Sequence, residues 1–419
     1  MHILFLTDNF PPEVNAPASR TFEHAREWVK AGHRVTVITC APNFPRGKVF
    51  DGYRNRLWQT ESMEGIRVIR VWTYITANEG FLRRTLDYLS YMVAAVVAAP
   101  FVRGVDIVVG TSPQFFTACA AYVVSTYKRV PFVFELRDLW PESIRAVGAM
   151  RTQWLLDMLE RIELFLYRRA ARVVSVTHAF KRNLVARGID ADKIAVVTNG
   201  VDIARFHAMP RDNALATRLG LDGRFVAGYV GTHGLAHGLD TLLEAARILK
   251  QHPEGKDVIL LMLGDGAEKR RLVERARCLG LDNVLFLDTV PKAEVANYWS
   301  LLDVSIIHLR RNELFTTVIP SKLFECMGMG IPVLHGVAGE SARIVEEEGV
   351  GVVFEPENAT QLAGELLRLK RDRGALAQYR ARALAAAPRY DRAALAQAML
   401  GVLQQVVRPA AISTRWAPD

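Results

Sequence analysis

Short runs of consecutive apolar residues alternate along the chain with longer segments in which apolar positions recur every three or four residues. The first run covers residues 3–6, a helical pattern covers 21–31, and a second apolar run covers 34–39. Short apolar runs are typical of parallel strands that are buried on both faces, and the longer periodic segments are typical of amphipathic helices. Gly32 adds a helix stop between the two. The beginning of the chain therefore predicts a strand–helix–strand unit.

The same alternation begins again in the second half of the chain. Apolar runs cover residues 225–229, 258–263, 284–287 and 303–307. Residues 207–213 are polar and have no period, which is typical of a linker. We therefore predict an α/β protein with two Rossmann-like domains that face each other across a cleft. The predicted ranges are 1–205 for the N-terminal domain, 206–215 for the linker and 216–385 for the second domain.

Charge and cysteine usage narrow the possible partners and the compartment. The net charge of +9 and the isoelectric point near 9.5 indicate an anionic partner. Because the basic residues form no tail and no nucleic-acid-binding motif, a phosphorylated substrate or an anionic lipid is favoured over nucleic acid. The four cysteines are scattered without CxxC or metal-ligand spacing, which argues against disulfides and zinc. A strand pattern rather than a signal peptide opens the chain, so we expect a cytoplasmic protein.

The segment PSKLFECMGMGIP, residues 320–332, carries the strongest candidate chemistry. It follows an apolar strand pattern and predicts a short helix that ends at Gly328 or Gly330. The start of a helix after a strand is a natural anion site. Lys322 adds a full positive charge, and Glu325 can accept two hydrogen bonds from a diol. These features predict contacts to a nucleotide diphosphate and its ribose from Ser321, Lys322, Leu323 and Glu325. The alternative is an amphipathic helix whose charged residues face water.

Two glycine-containing turns extend this candidate donor site. The loop after the strand at 225–229 is rich in small residues, which allow a ligand to approach the backbone closely. Predicted contacts in the two turns are Gly231, Thr232, His233, His237, Gly264 and Gly266. The alternatives are structural histidines and an ordinary tight turn at 264–266.

The loop after the first strand is a second candidate site. It lacks GxGxxG, which argues against a nicotinamide-dependent dehydrogenase. Asn15 can adopt the left-handed conformation that glycine often fills, and Arg20, near the helix start, can meet a phosphate. A salt bridge is the alternative for Arg20.

Acceptor binding is predicted from two other places in the first half. The strand at 131–136 leads directly into Arg137, Asp138 and Glu142, beside tryptophan and proline. Asp138 can accept a proton from an acceptor hydroxyl, whereas Glu142 has the alternative of a first-turn helix carboxylate. Asn43 opens a long polar loop that we expect to shape the acceptor site.

Two apolar segments with arginines at their ends suggest contact with a membrane. Residues 86–102 follow Arg83 and Arg84 and precede Arg103, and residues 154–172 have a similar stripe. The first segment is shorter than the ~20 apolar residues that span a bilayer. It predicts either a buried core helix or a helix that lies in the interface with anionic lipid.

Taken together, these stretches resemble glycosyltransferase family 4, whose members are retaining enzymes of the GT-B fold. The matching stretches are PPEVNAPASR, TNGVD, GTHGLAHGLDTLLEA, GDG, NVLFLDTVPKAEVANYWSLLDVSI and PSKLFECMGMGIPVL. The resemblance extends over almost the whole chain. ITCAPNFPRGKVFDGYRNR, IRVIRVWTY and RDLWPESI resemble in particular the N-acetylfucosamine transferases of bacterial surface-polysaccharide synthesis. The resemblance implies that residues 386–419 form a last helix that returns to the first domain.

The resemblance also implies that the second domain holds a nucleotide-sugar donor. Glu325 matches the second glutamate of the family's Glu–seven residues–Glu motif, which binds ribose. Thr317 stands where the first glutamate belongs, although Glu313 lies close by. Thr232 and His237 stand where the family has arginine and lysine, so Lys322 is expected to supply the phosphate charge.

The expected function is therefore transfer of a sugar from a UDP-sugar to a hydroxyl of a lipid-linked saccharide, with retention of configuration. Asp138, Lys322 and His237 are the predicted catalytic residues, and no metal or cofactor is expected. We expect the enzyme to work in bacterial surface-polysaccharide or lipopolysaccharide synthesis, peripherally on the cytoplasmic face of the inner membrane. The alternatives are a UDP-sugar 2-epimerase or sugar phosphorylase, and a non-catalytic nucleotide-sugar-binding protein of the membrane surface.

Overall fold

The protein consists of two compact units, each with its own sheet and core. A computed structural model describes residues 1–13, 15–44, 47–76, 81–112, 114–140, 152–291 and 293–407. Unit 1 comprises Met1–Thr198 together with the chain from Arg392 onward, and unit 2 comprises Asn199–Asp391.

The sheet of unit 1 has eight strands. They are β1 (His2–Leu6), β2 (Arg34–Cys40), β3 (Trp58–Met63), β4 (Ile66–Val71), β5 (Ile107–Thr111), β6 (Phe132–Leu136), β7 (Arg172–Ser175) and β8 (Ile194–Val196). Their order is β3-β4-β2-β1-β5-β6-β7-β8. Only the edge strand β3 is antiparallel to its neighbour, and the other pairs are parallel.

Helices cover both faces of this sheet, as the continuous apolar runs predict. They are α1 (Ala16–Lys30), α2 (Phe81–Ala98), α3 (Phe115–Lys128), α4 (Gln153–Arg169), α5 (His178–Ala186) and, from the end of the chain, α14 (Arg392–Val407). Leu4 and Leu6 of β1 pack in the core beneath α2, α3 and α4. Ile3 and Phe5 point to the opposite core, where α1 and α14 meet. This two-sided burial is characteristic of parallel sheets.

Unit 2 has a six-stranded sheet in the order β11-β10-β9-β12-β13-β14, with every pair parallel. Its strands are β9 (Phe225–Val230), β10 (Val258–Leu263), β11 (Val284–Leu287), β12 (Val304–His308), β13 (Val333–Gly336) and β14 (Gly351–Val353). Its helices are α6 (Asn213–Arg218), α7 (Asp240–Gln251), α8 (Lys269–Cys278), α9 (Val295–Trp299), α10 (Lys322–Met329), α11 (Glu340–Glu348), α12 (Ala359–Arg371) and α13 (Arg373–Ala386). The strand order reverses between β9 and β12, where open α/β sheets bind ligands.

The division between the units comes earlier than the boundary predicted at residue 205, and residues 206–215 are not a free linker. Val201 pairs with Asp391 and donates its N–H to Tyr390 O at 2.9 Å. Phe206 is buried in the core beside α10. These contacts place the segment after Thr198 in unit 2.

The last helix returns to unit 1, as expected. The indole N–H of Trp28 on α1 donates to Ala396 O on α14 at 2.8 Å, and the Trp28 side chain is fully buried. In the part of the chain that the structure describes, no helix is both long and apolar enough to cross a bilayer.

Replacing Trp28 by Phe removes this hydrogen bond while it keeps most of the apolar contact. We expect the free energy of unfolding to fall by about 1–2 kcal/mol, because a buried hydrogen bond is lost together with some packing. Urea titration followed by circular dichroism measures the change. Trp299→Phe is the matched control, because Trp299 is equally buried and its indole N–H has no partner among the described residues. Equal losses in the two variants would contradict a stabilising role for the Trp28–Ala396 bond.

Candidate active site

The candidate donor site lies at the carboxyl ends of β9 and β12, the two neighbouring strands at which the order reverses. Residues 231–239 connect β9 to α7, and residues 309–321 connect β12 to α10. The Gly264–Gly266 turn follows β10, the other neighbour of β9. The sequence-predicted donor residues of unit 2 therefore meet at one edge of one sheet.

Close backbone contact joins the turns after β9 and β10. Gly231 has φ +140° and Gly264 has φ +146°, conformations that favour glycine. A Cβ atom on Gly264 would lie 1.9 Å from Gly231 O, and one on Gly266 would lie 2.5 Å from His233 O. His233 N donates to Asp265 O at 2.8 Å. The glycines therefore serve first to let the two turns pack against each other.

Lys322, at the start of α10, brings an unpartnered positive charge to these turns. The residue is partly exposed, but its ammonium nitrogen is buried and has no hydrogen-bond partner among the described residues. It lies 3.9 Å from the centroid of the Tyr229 ring. Burial lowers the pKa of Lys322 to about 8, and Glu325 opposes this shift. A cation that lies on an aromatic face and near a carboxylate, but has no hydrogen-bond partner among the described residues, is prepared to bind an anion.

His237 stands near the same tyrosine but carries no charge at neutral pH. Its ring centroid is 6.0 Å from that of Tyr229, and its Nδ1 is buried without a partner among the described residues. Burial, reinforced by Lys322, lowers the pKa of His237 to about 4. His237 can therefore offer a phosphate oxygen a neutral N–H, but not a second positive charge.

Three other predicted donor residues have positions that change their roles. His233 is fully buried between Tyr229 and Phe286, and neither of its ring nitrogens has a hydrogen-bond partner among the described residues. Burial lowers the pKa of His233 to about 4. Leu323 is also fully buried, in the main core of unit 2. Thr232 is exposed, and its carbonyl accepts a hydrogen bond from the Tyr229 hydroxyl at 2.8 Å.

The first turn of α10 offers fewer backbone N–H groups to an anion than the sequence predicts. Leu323 N donates to Pro320 O at 3.1 Å, while Phe324 N and Glu325 N donate to Ser321 O at 3.1 and 3.3 Å. Since these N–H groups are used within the turn, anion binding here depends mainly on Lys322. Ser321 is exposed, and Glu325 is partly exposed on the next turn of the helix.

His308 is a residue of this site that the sequence did not reveal. Its Nδ1 donates to His237 O at 2.7 Å, and its Nε2 accepts from Glu357 N at 2.9 Å. The two bonds fix the tautomer, because only a proton on Nδ1 satisfies both. Arg310 N also donates to Ala236 O at 2.9 Å. The end of β12 thus holds the loop that carries His237.

Lys269 gives similar support to the second turn and was also missed. Its ammonium group donates to Gly264 O at 2.8 Å, to Leu287 O at 3.0 Å and to Asp288 Oδ1 at 2.5 Å. It therefore ties the carboxyl ends of β10 and β11 together. A lysine in the first turn of an exposed helix carries no sequence signal for such a role.

In unit 1, Arg20 and Asn15 stabilise the fold, which differs from their predicted contact with the donor. Arg20 is buried, pairs with Glu135 at 2.9 Å, and donates to Thr198 O and Val197 O at 2.6 and 2.9 Å. Asn15 has φ −67°, not a left-handed conformation, and caps α1 by accepting a hydrogen bond from Ala18 N at 2.9 Å. Pro17 follows in the first turn, which is a common helix-start pattern.

Arg137 and Asp138 come together in a turn held by Ser112, a residue not predicted from the sequence. Ser112 Oγ accepts from Arg137 N at 2.8 Å and from Asp138 N at 3.3 Å. Arg137 Nη1 is buried without a partner among the described residues. Burial lowers the pKa of Arg137 to about 10, although Glu135 opposes the shift. Glu142 lies outside the described residues.

Three acidic residues lie in or near the loop that follows β1: Asp8, Glu13 and Asp87. Glu13 accepts hydrogen bonds from Asn43 N and Phe44 N at 2.7 and 2.9 Å, and the Asn43 side chain donates to Ala41 O, so Asn43 anchors this loop. Burial raises the pKa of Asp8 and of Glu13. Burial and the neighbouring Asp8 raise the pKa of Asp87 on α2 to about 7. Neutral carboxyl groups can donate hydrogen bonds to sugar oxygens.

Of the residues that the structure describes, no three acidic, histidine or cysteine side chains are placed to hold a metal ion.

Family comparisons agree with this division into two units. Residues 15–200 match the glycosyl transferase 4-like domain, and residues 215–386 match the glycosyl transferases group 1 family. The Escherichia coli protein WcaI, which carries the name of a colanic acid biosynthesis glycosyl transferase, is 26% identical over 380 residues, or 86% of this chain and 90% of that one.

Solved structures share the fold over the whole length. The Anabaena protein HepE in complex with UDP has a TM-score of 0.71 at 19% identity, covering 97% of this chain and 100% of that one. WaaG, described as a glycosyltransferase involved in lipopolysaccharide biosynthesis, has a TM-score of 0.68 at 16% identity, covering 96% and 99%. These matches confirm the predicted GT-B fold class.

Replacing His308 by Ala should weaken donor binding, because the loop that carries His237 loses its anchor. We expect KM for the donor to rise about tenfold and unfolding free energy to fall by about 1–2 kcal/mol. Steady-state kinetics and urea titration provide the two readouts. Ser341→Ala is the control, since it breaks another buried bond of unit 2, that of Ser341 to His335 at 2.8 Å. If both variants lose stability but keep the wild-type KM, His308 does not position the site.

Replacing Arg20 by Ala tests whether this residue stabilises the fold through its buried ion pair with Glu135. Removal of one partner from a buried ion pair is expected to lower the free energy of unfolding by about 3–5 kcal/mol. Arg26→Ala on the same helix removes a more exposed pair and should cost less than about 1 kcal/mol. An Arg20 variant with normal stability and lost nucleotide affinity would restore the original prediction.

Proposed function

Because this chain belongs to the GT-B glycosyltransferases, with a glycosyl transferase 4-like first unit and a group 1 second unit, we propose that it transfers a sugar from a nucleotide diphosphate donor held by unit 2. The observation that carries the proposal is the Lys322 ammonium group, buried on the Tyr229 ring without a hydrogen-bond partner among the described residues. A diphosphate supplies the missing counter-charge. Glu325, one helical turn away, is the proposed acceptor for the ribose hydroxyls.

The chemical step requires stabilisation of the departing diphosphate. The bond between the anomeric carbon and the diphosphate oxygen breaks, and a new bond forms from that carbon to the acceptor oxygen. Lys322 offsets the charge that develops on the leaving oxygen, and His237 adds a neutral N–H in the same loop cluster. Fixed donors of this kind stabilise a transition state without needing to reorganise. In unit 1, Asp138 is the proposed acceptor of the hydroxyl proton, and Arg137 is a proposed acceptor-binding residue.

The substrates follow from the resemblance and from the names of similar proteins. HepE binds UDP, and the names of WcaI and WaaG refer to bacterial surface saccharides. We therefore propose a UDP-sugar donor that carries an N-acetylated amino sugar or a deoxysugar, and a lipid-linked saccharide as the acceptor. This activity belongs to polysaccharide or lipopolysaccharide synthesis at the cytoplasmic side of an anionic membrane.

The charge state of Lys322 provides a sharp test. Since the pKa of Lys322 in the free protein is about 8, UDP binding should be strongest below pH 8 and weaken as the pH rises above it, because the bound form must then take up a proton. Lys322→Arg should keep affinity across this range, since arginine remains protonated. Lys322→Ala should lower UDP affinity by at least about tenfold, or about 1.4 kcal/mol, through loss of a charge-assisted contact.

Isothermal titration with UDP from pH 7 to about pH 9.5 measures these affinities. The exposed Lys250 on α7 is the control, and its replacement by Ala should change nothing. Incubation with the donor alone separates transfer from epimerisation, because an epimerase converts the sugar without an acceptor. Wild-type UDP affinity in Lys322→Ala at pH 7 would remove the basis of the proposal.

A further inference from the structure

The exposed apolar side chains of this protein are concentrated on one part of unit 1. Among the described residues, fourteen of the twenty exposed large apolar side chains lie between residues 57 and 165. This segment contains α2, α3, α4 and the β3–β4 edge. An uneven distribution of this kind marks an interaction surface, because single exposed apolar residues are normally scattered.

On α4, the exposed apolar residues form a continuous stripe. Trp154, Met158, Ile162 and Phe165 follow helical spacing, and Trp154 is 68% exposed. The opposite side of the helix is buried in the core beneath it. The helix is therefore apolar on two sides, and only one of them is covered by the fold.

α3 joins the stripe of α4 to an equivalent surface on α2. Tyr122 on α3 packs edge-on against Phe165 with ring centroids 5.2 Å apart. Tyr127, also on α3, donates its hydroxyl to Val96 O on α2 at 3.3 Å. Val97, next in α2, is 63% exposed. The outer sides of the three helices thus form one surface, which we call the helical face.

The helical face ends at an apolar groove along the sheet edge. The groove has a volume of about 700 Å³ and is lined by α2 together with Trp58 of β3 and Trp72 and Tyr74 after β4. Trp58 packs edge-on against Phe101, which follows α2, with ring centroids 5.8 Å apart. Tryptophan and tyrosine at the margin of an apolar surface are typical of proteins at the membrane–water interface.

The charges on the helical face are mainly positive. The exposed arginines of α2 and α4 are Arg83, Arg84, Arg161, Arg168 and Arg169, whereas Asp157 and Glu160 of α4 are partly exposed. Arg103 and Arg129, just after α2 and α3, are exposed as well. The acids of these helices are less exposed, and burial together with Asp8 raises the pKa of Asp87 to about 7.

We propose that the helical face and its aromatic edge dock this protein onto the surface of an anionic lipid bilayer. The apolar side chains enter the boundary between headgroups and acyl chains, and the arginines bind lipid phosphates. A second copy of the chain is a poorer occupant, because a symmetric contact would place arginines against arginines. The inference deepens the proposed function by naming the surface that meets the membrane, and it rests on that function only for the lipid-linked acceptor.

Vesicle flotation of the full-length protein, without nucleotide sugar, tests the docking surface. The protein should float with vesicles of phosphatidylglycerol and phosphatidylcholine in equal amounts, and much less with phosphatidylcholine alone. Val97→Glu combined with Ile162→Glu should lower binding at least about tenfold, since a charge enters each apolar patch. Val273→Glu with Leu279→Glu, two exposed apolar residues of unit 2, is the matched control and should bind like wild type.

A second pair of variants separates charge from apolar contact. Arg168→Gln with Arg169→Gln should weaken binding to the anionic vesicles and reduce its dependence on salt, whereas Arg218→Gln with Arg270→Gln in unit 2 should not. Wild-type binding by the Val97/Ile162 variant, or equal binding to neutral and anionic vesicles, would overturn the proposal. The proposal would also be overturned if the wild-type protein did not float with vesicles but formed a dimer that the Val97/Ile162 variant dissociates. Lys322→Ala should float normally, so failure of the catalytic proposal would be distinguishable from failure of this one.

Discussion

The candidate donor site of unit 2 is built around one buried charge. A lysine pKa lowered from 10.5 to about 8 means that the protein holds the ammonium group at a cost of roughly 3 kcal/mol relative to water. Gly231 leaves room for the charge, since a Cβ there would lie 2.9 Å from Lys322 Nζ. Lys269 and His308 fix the turns around it through backbone carbonyls. An anion that enters this site recovers the free energy, so the fold stores part of the driving force for binding.

The two units use the ends of their strands in different ways. In unit 2, Lys322 has no hydrogen-bond partner among the described residues. In unit 1, Arg20 lies between Glu135 and two backbone carbonyls, and it therefore stabilises the sheet edge. In the same unit, Arg137 has a buried Nη1 without a hydrogen-bond partner among the described residues, and Asp8 lies near it. The proposed sugar acceptor would need directional hydrogen bonds and a proton acceptor more than net charge.

Much of this arrangement could be predicted from the sequence. Apolar periodicity predicted both sheets, and the sequence pointed to Lys322, whose ammonium group is buried at the carboxyl ends of the strands. Roles that depend on contacts between residues far apart in the sequence could not be predicted. Arg20 bonds to carbonyls 177 and 178 positions away, and His308 bonds to the loop of His237, 71 positions earlier. Asn15 was different, because Pro17, two residues later, already indicates a helix start with a cap at Asn15. The burial of the Leu323 side chain follows from helix geometry, because adjacent helix positions point in different directions.

The return of the last helix to unit 1 has a consequence for biosynthesis. The hydrogen bond from Trp28 to Ala396 O joins residues 368 positions apart, whereas unit 2 is a continuous segment from Asn199 to Asp391. During translation, unit 2 is therefore available as a complete folding unit before the last helix of unit 1 has been made. Until that helix arrives, the apolar surface of α1 around Trp28 remains uncovered and open to chaperones or to aggregation. Loss of α14 would thus uncover α1 near the beginning of the chain, whereas the continuous segment that forms unit 2 would remain whole.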